Sequence, residues 1–263
     1  MLSLICSVWR WRRLVKDLAL RELRGRYAGS VLGGVWTVLE PLVHFALYFT
    51  VFSYFLGMRL EGRPGVSMFG LYLVSGLVPF LALQECLVRA TSLARSQALL
   101  VRHVSVPLEV LLAGALLAIV ARHAVSLVMV LGAALALGTL AWSAMPWFVL
   151  GAVMLLAGSW GLALALVPAG AFLPDLTQVV STGTMVMFFL TPIVYPASQV
   201  PRALAGWLLY NPLVGLIDAF RMPLLGEAPE LGRVLVALVC SALLLLLGSW
   251  LFRRRCQAVR DLV

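Results

Sequence analysis

The charged residues of this chain sit mainly at the ends of long apolar runs, and that arrangement constrains the fold more than any motif. Six runs, at 31–57, 67–91, 107–140, 146–171, 177–196 and 231–252, each supply the roughly 20 apolar residues a helix needs to cross a bilayer. Of 263 residues, 62% are hydrophobic and 12% charged, against roughly 25% charged in an average soluble domain. Such a mixture cannot give a soluble enzyme its polar skin, and it is too apolar for a disordered chain. A barrel fits poorly, because barrel strands alternate polar and apolar over roughly ten residues, and these runs are continuous. The expected fold is an all-α integral membrane protein, one domain over 1–263 with six transmembrane helices. The run 107–140 exceeds one crossing, so its first part, from Pro107 to about Ala121, is expected to lie below or along the membrane.

Basic residues orient the chain. Seven cations lie within 1–30, four follow residue 252, and Arg95 and Arg102 fall between the second and third runs. The opposite side carries Arg59, Arg63, Arg202 and Arg221. The excess is thirteen against four, and the positive-inside bias therefore puts both termini in the cytoplasm. The basic balance of +9 is thus a matter of membrane topology rather than of nucleic acid. Met1 to Trp9 alone precede the first arginine, so no cleavable signal peptide is expected.

Two segments outside the runs have their own character. Residues 9–28 put Trp11, Leu14, Val15, Leu18 and Leu23 near one helical face and cations on the other, the pattern of an amphipathic helix in the membrane interface. Residues 197–226 carry short apolar stretches broken by Pro201, Pro212 and Pro223. These cannot span, and they fit re-entrant helices before the last crossing; an amphipathic loop on the outer surface is the alternative.

Catalytic signatures are missing. The one lysine, Lys16, follows no glycine-rich phosphate loop. His44, His103 and His123 are scattered, and Cys6, Cys86, Cys240 and Cys256 lack metal-ligand spacing. No catalytic residue, bound cofactor or metal is expected of this chain. Intramembrane charge remains: Glu85 and Arg89 share a helix face four residues apart, and Arg122 interrupts the third run. They read either as a polar cluster with a transport role or as internal neutralisation. The aromatics Phe45, Tyr48, Phe52 and Phe55 follow helical spacing; such a face stacks on sugar rings or packs helices together.

Residues 21–45, R-E-L-R-G-R-Y-A-G-S-V-L-G-G-V-W-T-V-L-E-P-L-V-H-F, with V-F-S-Y-F at 51–55, resemble the membrane subunit of ATP-binding-cassette type-2 polysaccharide exporters. Y-L-V-S-G-L-V-P-F at 72–80, H-V-S-V-P-L-E-V at 103–110, F-L-P-D-L-T-Q-V-V at 172–180 and T-P-I-V-Y-P with Y-N-P-L over 191–213 fit in order. Where many relatives have F-R-D after the fourth span, this chain has Phe172, Leu173, Pro174 and Asp175. The resemblance implies a homodimer in the bacterial inner membrane, joined by two copies of a separate ATPase subunit that holds ATP and Mg. It implies a cytoplasmic coupling segment at 93–106, with Arg95, Arg102 and His103 as contacts. It implies a conduit between protomers along the first and fifth spans, which makes Trp36, Phe45, Tyr48, Phe52, Phe188 and Tyr195 candidate lining residues. The headgroup of a lipid-linked polysaccharide would then be met at Arg24, Arg26 and Glu40. Cargo of O-antigen, capsule or teichoic-acid type is implied; export of a drug, lipid or lipo-oligosaccharide on the same scaffold is the alternative, and an ATP-independent channel or scaffold the second.

Overall fold

A computed structural model describes residues 2–60, 65–98, 106–201 and 205–262. Among them the regular elements are all helices. The amphipathic N-terminus is two helices, α1 (Leu2–Arg10) and α2 (Arg12–Arg26), where one over 9–28 was expected. The break is at Trp11, and the unit begins near the start of the chain. Helix α2 lies across the first part of α5 (Leu108–Ala136), at Gly114, where an added Cβ would come 2.7 Å from Cβ of Leu18. The Ser7 hydroxyl donates to Glu109 at 2.8 Å, fastening α1 to the same helix. Helix α5 is 29 residues long, about 44 Å at ~1.5 Å per residue, so it overshoots a hydrocarbon core of ~30 Å.

Helix α3 (Trp36–Phe49) opens on a 3-10 turn at Gly33–Val35 and ends in a π-helical turn at Thr50–Phe55. Next come α4 (Val66–Ser96), α5, α6 (Met145–Phe172) and α7 (Leu176–Leu190). The short α8 (Ala205–Tyr210), α9 (Pro212–Leu224) and the long α10 (Leu231–Leu262) complete the chain. Five stretches have the length and hydropathy of a crossing: Gly33–Phe55, Val66–Ser96, Leu108–Ala136, Trp142–Phe172 and Leu231–Val259. The chain is therefore a multi-pass membrane protein. The fifth run, expected over 177–196, gives a helix of 15 residues, about 22 Å long at ~1.5 Å per residue. It stops because Thr191 precedes Pro192, and a residue before proline is pushed out of the helical region; Thr191 is extended, with ψ 135°.

Helix α4 is buried along most of its length and is the centre of the bundle, packed on α5, α6, α7 and α9. Helices α6 and α10 cross on small residues: a Cβ on Gly248 would meet the Gly161 carbonyl, and one on Gly161 the backbone of Leu244. Close backbone approach replaces the hydrophobic driving force that lipid does not supply. The far side of α10 shows Leu235, Leu238, Leu243, Leu246 and Trp250 outward, a stripe suited to hydrocarbon. Helix α3 is the opposite of α4: none of its residues is buried.

Two apolar clusters fill the bundle. One, at the end holding the chain termini, joins Leu4 and Val15 to Leu93, Leu111, Leu164 and Phe252. The other joins Phe69, Leu77, Met154, Phe188, Ile217 and Phe220. The second is fastened by a guanidinium. Arg221 reads in the sequence as an external loop charge, but it is buried on α9, at 1% exposure. Its Nη1 and Nη2 donate to the carbonyls of Pro192 and Ile193, both at 2.9 Å, and its Nε to that of Tyr72 at 3.2 Å. The guanidinium lies 3.7 Å over the Tyr72 ring, whose hydroxyl donates to the Tyr195 carbonyl at 2.9 Å. Asn211 caps α9 through Leu213 N–H and donates to the Thr191 hydroxyl at 3.0 Å. The carbonyls freed where α7 breaks are thereby satisfied inside protein, as lipid requires.

Replacing Arg221 by Met leaves buried carbonyls without donors, each worth ~1–3 kcal/mol. The variant is expected to melt well below the parent in detergent, with Arg221→Lys intermediate, because a single ammonium cannot reach all three carbonyls.

Candidate functional site

The candidate site is a charged cluster where α2, the start of α3, α4 and α5 meet. Arg26, at the last turn of α2, reaches both Glu40 on α3 and Glu85 on α4, each at 3.1 Å. The Tyr27 hydroxyl donates to the second Glu40 oxygen at 2.9 Å. Glu85 also pairs with Arg122 of α5 and lies 3.0 Å from His123 Nε2. One carboxylate thus ties three elements together, and of the cluster expected from Glu85, Arg89 and Arg122 the first and last are paired. Arg89 belongs to a neighbouring pair instead. Its Nε and Nη2 clasp Glu22 at 2.8 and 3.1 Å, a two-pronged contact, and its Nη1 donates to Ser96 at 2.9 Å. The i,i+4 spacing of Glu85 and Arg89 does not make them partners, because each finds a better-placed group on another helix.

Of the headgroup candidates, Arg26 and Glu40 are joined. Arg24 lies on the other side of α2, exposed, beside Asp17, Leu20 and Ala28. His44 turns its Nδ1 to the Glu40 main-chain oxygen at 2.9 Å rather than to the carboxylate.

The aromatics form a string from α3 to α7. Tyr48 stacks near Phe52, with centroids 6.3 Å apart, and lies 6.1 Å from Phe188. Phe188 is buried against Phe80 of α4 at 5.3 Å. Phe45 and Tyr195 border the same cluster, and Trp36 stands half-buried near the start of α3. The Tyr195 hydroxyl donates to the Phe189 carbonyl at 2.7 Å. Helices α4 and α7 also share a polar contact, Gln84 to Thr184 at 3.2 Å.

In the coupling segment, Arg95 at the end of α4 donates to the Pro174 carbonyl at 3.2 Å, and Thr91 donates to Thr177 at 2.9 Å. The last turn of α4 is therefore bound to the short α6–α7 connection. Arg102 and His103 lie outside the described residues. Among the described residues no group of His, Cys, Asp and Glu could hold a metal ion. The sequence reading missed Glu22, Tyr27 and the Arg221 knot. Glu22 stands in the same R-E-L-R-G-R stretch as Arg26, but its partner Arg89 is 67 residues away and carries no local signal.

A double-mutant cycle of Glu22→Gln and Arg89→Gln, followed by thermal unfolding in detergent, is expected to give a coupling of about 1 kcal/mol, as for a half-buried two-pronged pair.

The profile of the ABC-2 type transporter family matches residues 13–225, which takes in α2 through α9. The O-antigen export system permease protein RfbA of Myxococcus xanthus is 26% identical over 260 residues, covering 97% of both chains. The polysialic acid transport protein KpsM of Escherichia coli is 26% identical over 255 residues, covering 93% of this chain and 94% of that one. An O-antigen export system permease protein RfbA of Klebsiella pneumoniae is 22% identical over 238 residues, 89% of this chain and 88% of that one. From its interface helix to its buried α9, the chain belongs to the ABC-2 type transporter family.

Proposed function

We propose that this chain is the permease subunit of an ATP-driven exporter that carries lipid-linked polysaccharide from the cytoplasm across the bacterial inner membrane. The observation that carries this reading is the near-full-length likeness to permeases named for O-antigen export and polysialic acid transport. The cargo class follows those two names; the individual glycan stays open between O-antigen and capsule type. In this reading both termini are cytoplasmic, α7 with Thr191–Pro196 makes the fifth of six crossings, and α8 and α9 are re-entrant. The burial of α9 and the capped carbonyls at 192 and 193 support that topology.

The permease is a homodimer joined by two copies of an ATPase subunit, which supplies the nucleotide and Mg. Closure of the ATPase pushes on 93–106. Arg95 passes the push to the Pro174 carbonyl and so to α7. The conduit runs between protomers along α3 and α7, and the bare surface of α3 in one protomer supports this. A sugar chain slides past Trp36, Tyr48 and Phe52 by many weak ring contacts, which demand no single sugar sequence and do not stall movement; Phe188, expected in the lining, is buried and backs Tyr48 instead. The phosphate-bearing end is met first by Arg24, Arg26 and Glu40, where guanidinium forks suit phosphate oxygens.

Two experiments test this. Affinity-purified chain is expected to bring down an ATPase, and cells deleted for the chain are expected to lose their surface glycan while keeping the glycan inside. Purified chain that hydrolyses ATP unaided, or unchanged surface glycan in the deletion strain, overturns the reading. Tyr48→Ala and Phe52→Ala are each expected to slow export several-fold, the loss of about 1 kcal/mol of ring contact, at normal membrane abundance.

A further inference from the structure

We infer that the apolar cavity under α1, between α5, α6 and α10, holds one acyl chain of an anionic phospholipid from the leaflet beside the chain termini, with its head at Arg12 and Arg253. The cavity measures about 670 Å³. Leu4 and Val8 of α1, Leu117 of α5, Leu156 and Trp160 of α6 and Leu245 of α10 wall it, and among the described residues none that lines it is charged. Leu117 and Leu156 are exposed, so the cavity opens sideways to the hydrocarbon side of the bundle. Along α5 it runs from Ala113 to Val120, about 10 Å at ~1.5 Å per residue. That is two thirds of the ~15 Å that one leaflet contributes to a hydrocarbon core of ~30 Å. Two serines in the wall differ. The Ser159 hydroxyl donates to the Leu155 carbonyl of its own helix. Ser249 is 4% exposed, and its hydroxyl has no hydrogen-bond partner. A buried hydroxyl left so is costly, and pure hydrocarbon does not relieve it. The ester carbonyl at the head of a glycerolipid acyl chain is the acceptor it lacks.

The rim selects the head group. On α10 the line of Leu245 and Ser249 continues, four residues on, to Arg253; at the N-terminus Arg12 lies four residues past Val8 and three before Val15, both of which line the cavity. Both arginines are exposed. Trp9 and Trp250, 69% and 48% exposed, stand beside them, as rings do where hydrocarbon meets head groups. The Arg12 guanidinium rests 5.3 Å from the Trp9 ring. Among the described residues the carboxylates in ion pairs take Arg26, Arg89, Arg122 and Arg233, and neither Arg12 nor Arg253. The acid nearest in register is Glu109, one turn before Ala113, and it accepts from Ser7. Counted against the two arginines, it leaves the rim one net positive charge. Exposed guanidiniums above an apolar slot fit a lipid phosphate. A zwitterionic head brings its own cation and gains less than an anionic one. Nothing here depends on the export reading; the cytoplasmic placement of the termini only names the leaflet that supplies the lipid.

The test titrates the delipidated full chain in detergent with phosphatidylglycerol and, separately, with phosphatidylcholine, read by native mass spectrometry. One phosphatidylglycerol is expected to bind saturably, about tenfold more tightly than phosphatidylcholine. Arg12→Gln combined with Arg253→Gln is expected to remove that preference. Arg10→Gln combined with Arg255→Gln changes the net charge equally, at exposed residues that lie a turn beyond no lining residue, and is expected to keep it. The contrast separates a site from diffuse attraction. Ser249→Ala is expected to weaken both lipids severalfold, since both carry the ester, and Ala157→Phe, which fills the cavity, to weaken both at least tenfold. In the parent chain a phosphatidylglycerol with a diazirine at mid-chain is expected to cross-link to Leu117, Leu156 or Leu245, a readout that needs no variant to fold. Equal affinity for the two lipids, equal loss in both arginine pairs, an unchanged Ser249→Ala, or cross-links confined to other helices overturns the inference. Surface glycan in the deletion strain reports on the export reading alone.

Discussion

Everything at the end of the bundle that holds the termini depends on Glu85 keeping two guanidiniums in one place. An arginine at the middle of a spanning helix costs about 2.5–3.5 kcal/mol on insertion scales. Arg122 stands in such a helix, at 9% exposure. Its carboxylate partner comes from α4, and the same carboxylate holds Arg26 of the interface helix. The amphipathic N-terminus is therefore more than a charged stop before the first crossing. It is bonded into the bundle by ion pairs, by Ser7 and Glu109, and by the close approach of α2 at Gly114.

The two ends of the bundle handle buried arginine differently, and the difference is mechanical. At the terminal end the guanidiniums meet carboxylates, some of them partly exposed. Around residues 191–226, Arg221 meets main-chain carbonyls and a tyrosine face, which hold a broken backbone in one shape. Helix α4 runs between the two ends and supplies groups to both, Glu85 to the first and Tyr72 to the second.

Much of the helical layout was legible in the sequence, because apolar runs and their charged borders are properties of consecutive residues. The expected bounds 67–91 and 146–171 differ from Val66–Ser96 and Met145–Phe172 by one to five residues. The early stop of α7 was also readable in principle, since Pro192 stands in plain view; the apolar run was followed past it. Partner choice was not legible. Arg89 takes Glu22 and not Glu85, and Arg221 is a buried knot and not a loop cation, because both contacts link residues 67 or more apart or a side chain to a carbonyl. The aromatic series on α3 was visible as a face. That it meets Phe188, and that Phe188 in turn rests on Phe80, is a product of tertiary packing.

The bareness of α3 bears on how the protein is made. Synthesis delivers this helix to the bilayer before any other crossing, and it can wait there alone, since none of its residues is fully buried against the rest of its own chain. Helix α4, buried over 72% of its apolar window, finds its full set of neighbours only when α6, α7 and α9 have been synthesised. Assembly of the central helix is thus the late step of biogenesis, and quality-control proteases meet the half-made subunit with its middle, rather than its beginning, unfinished.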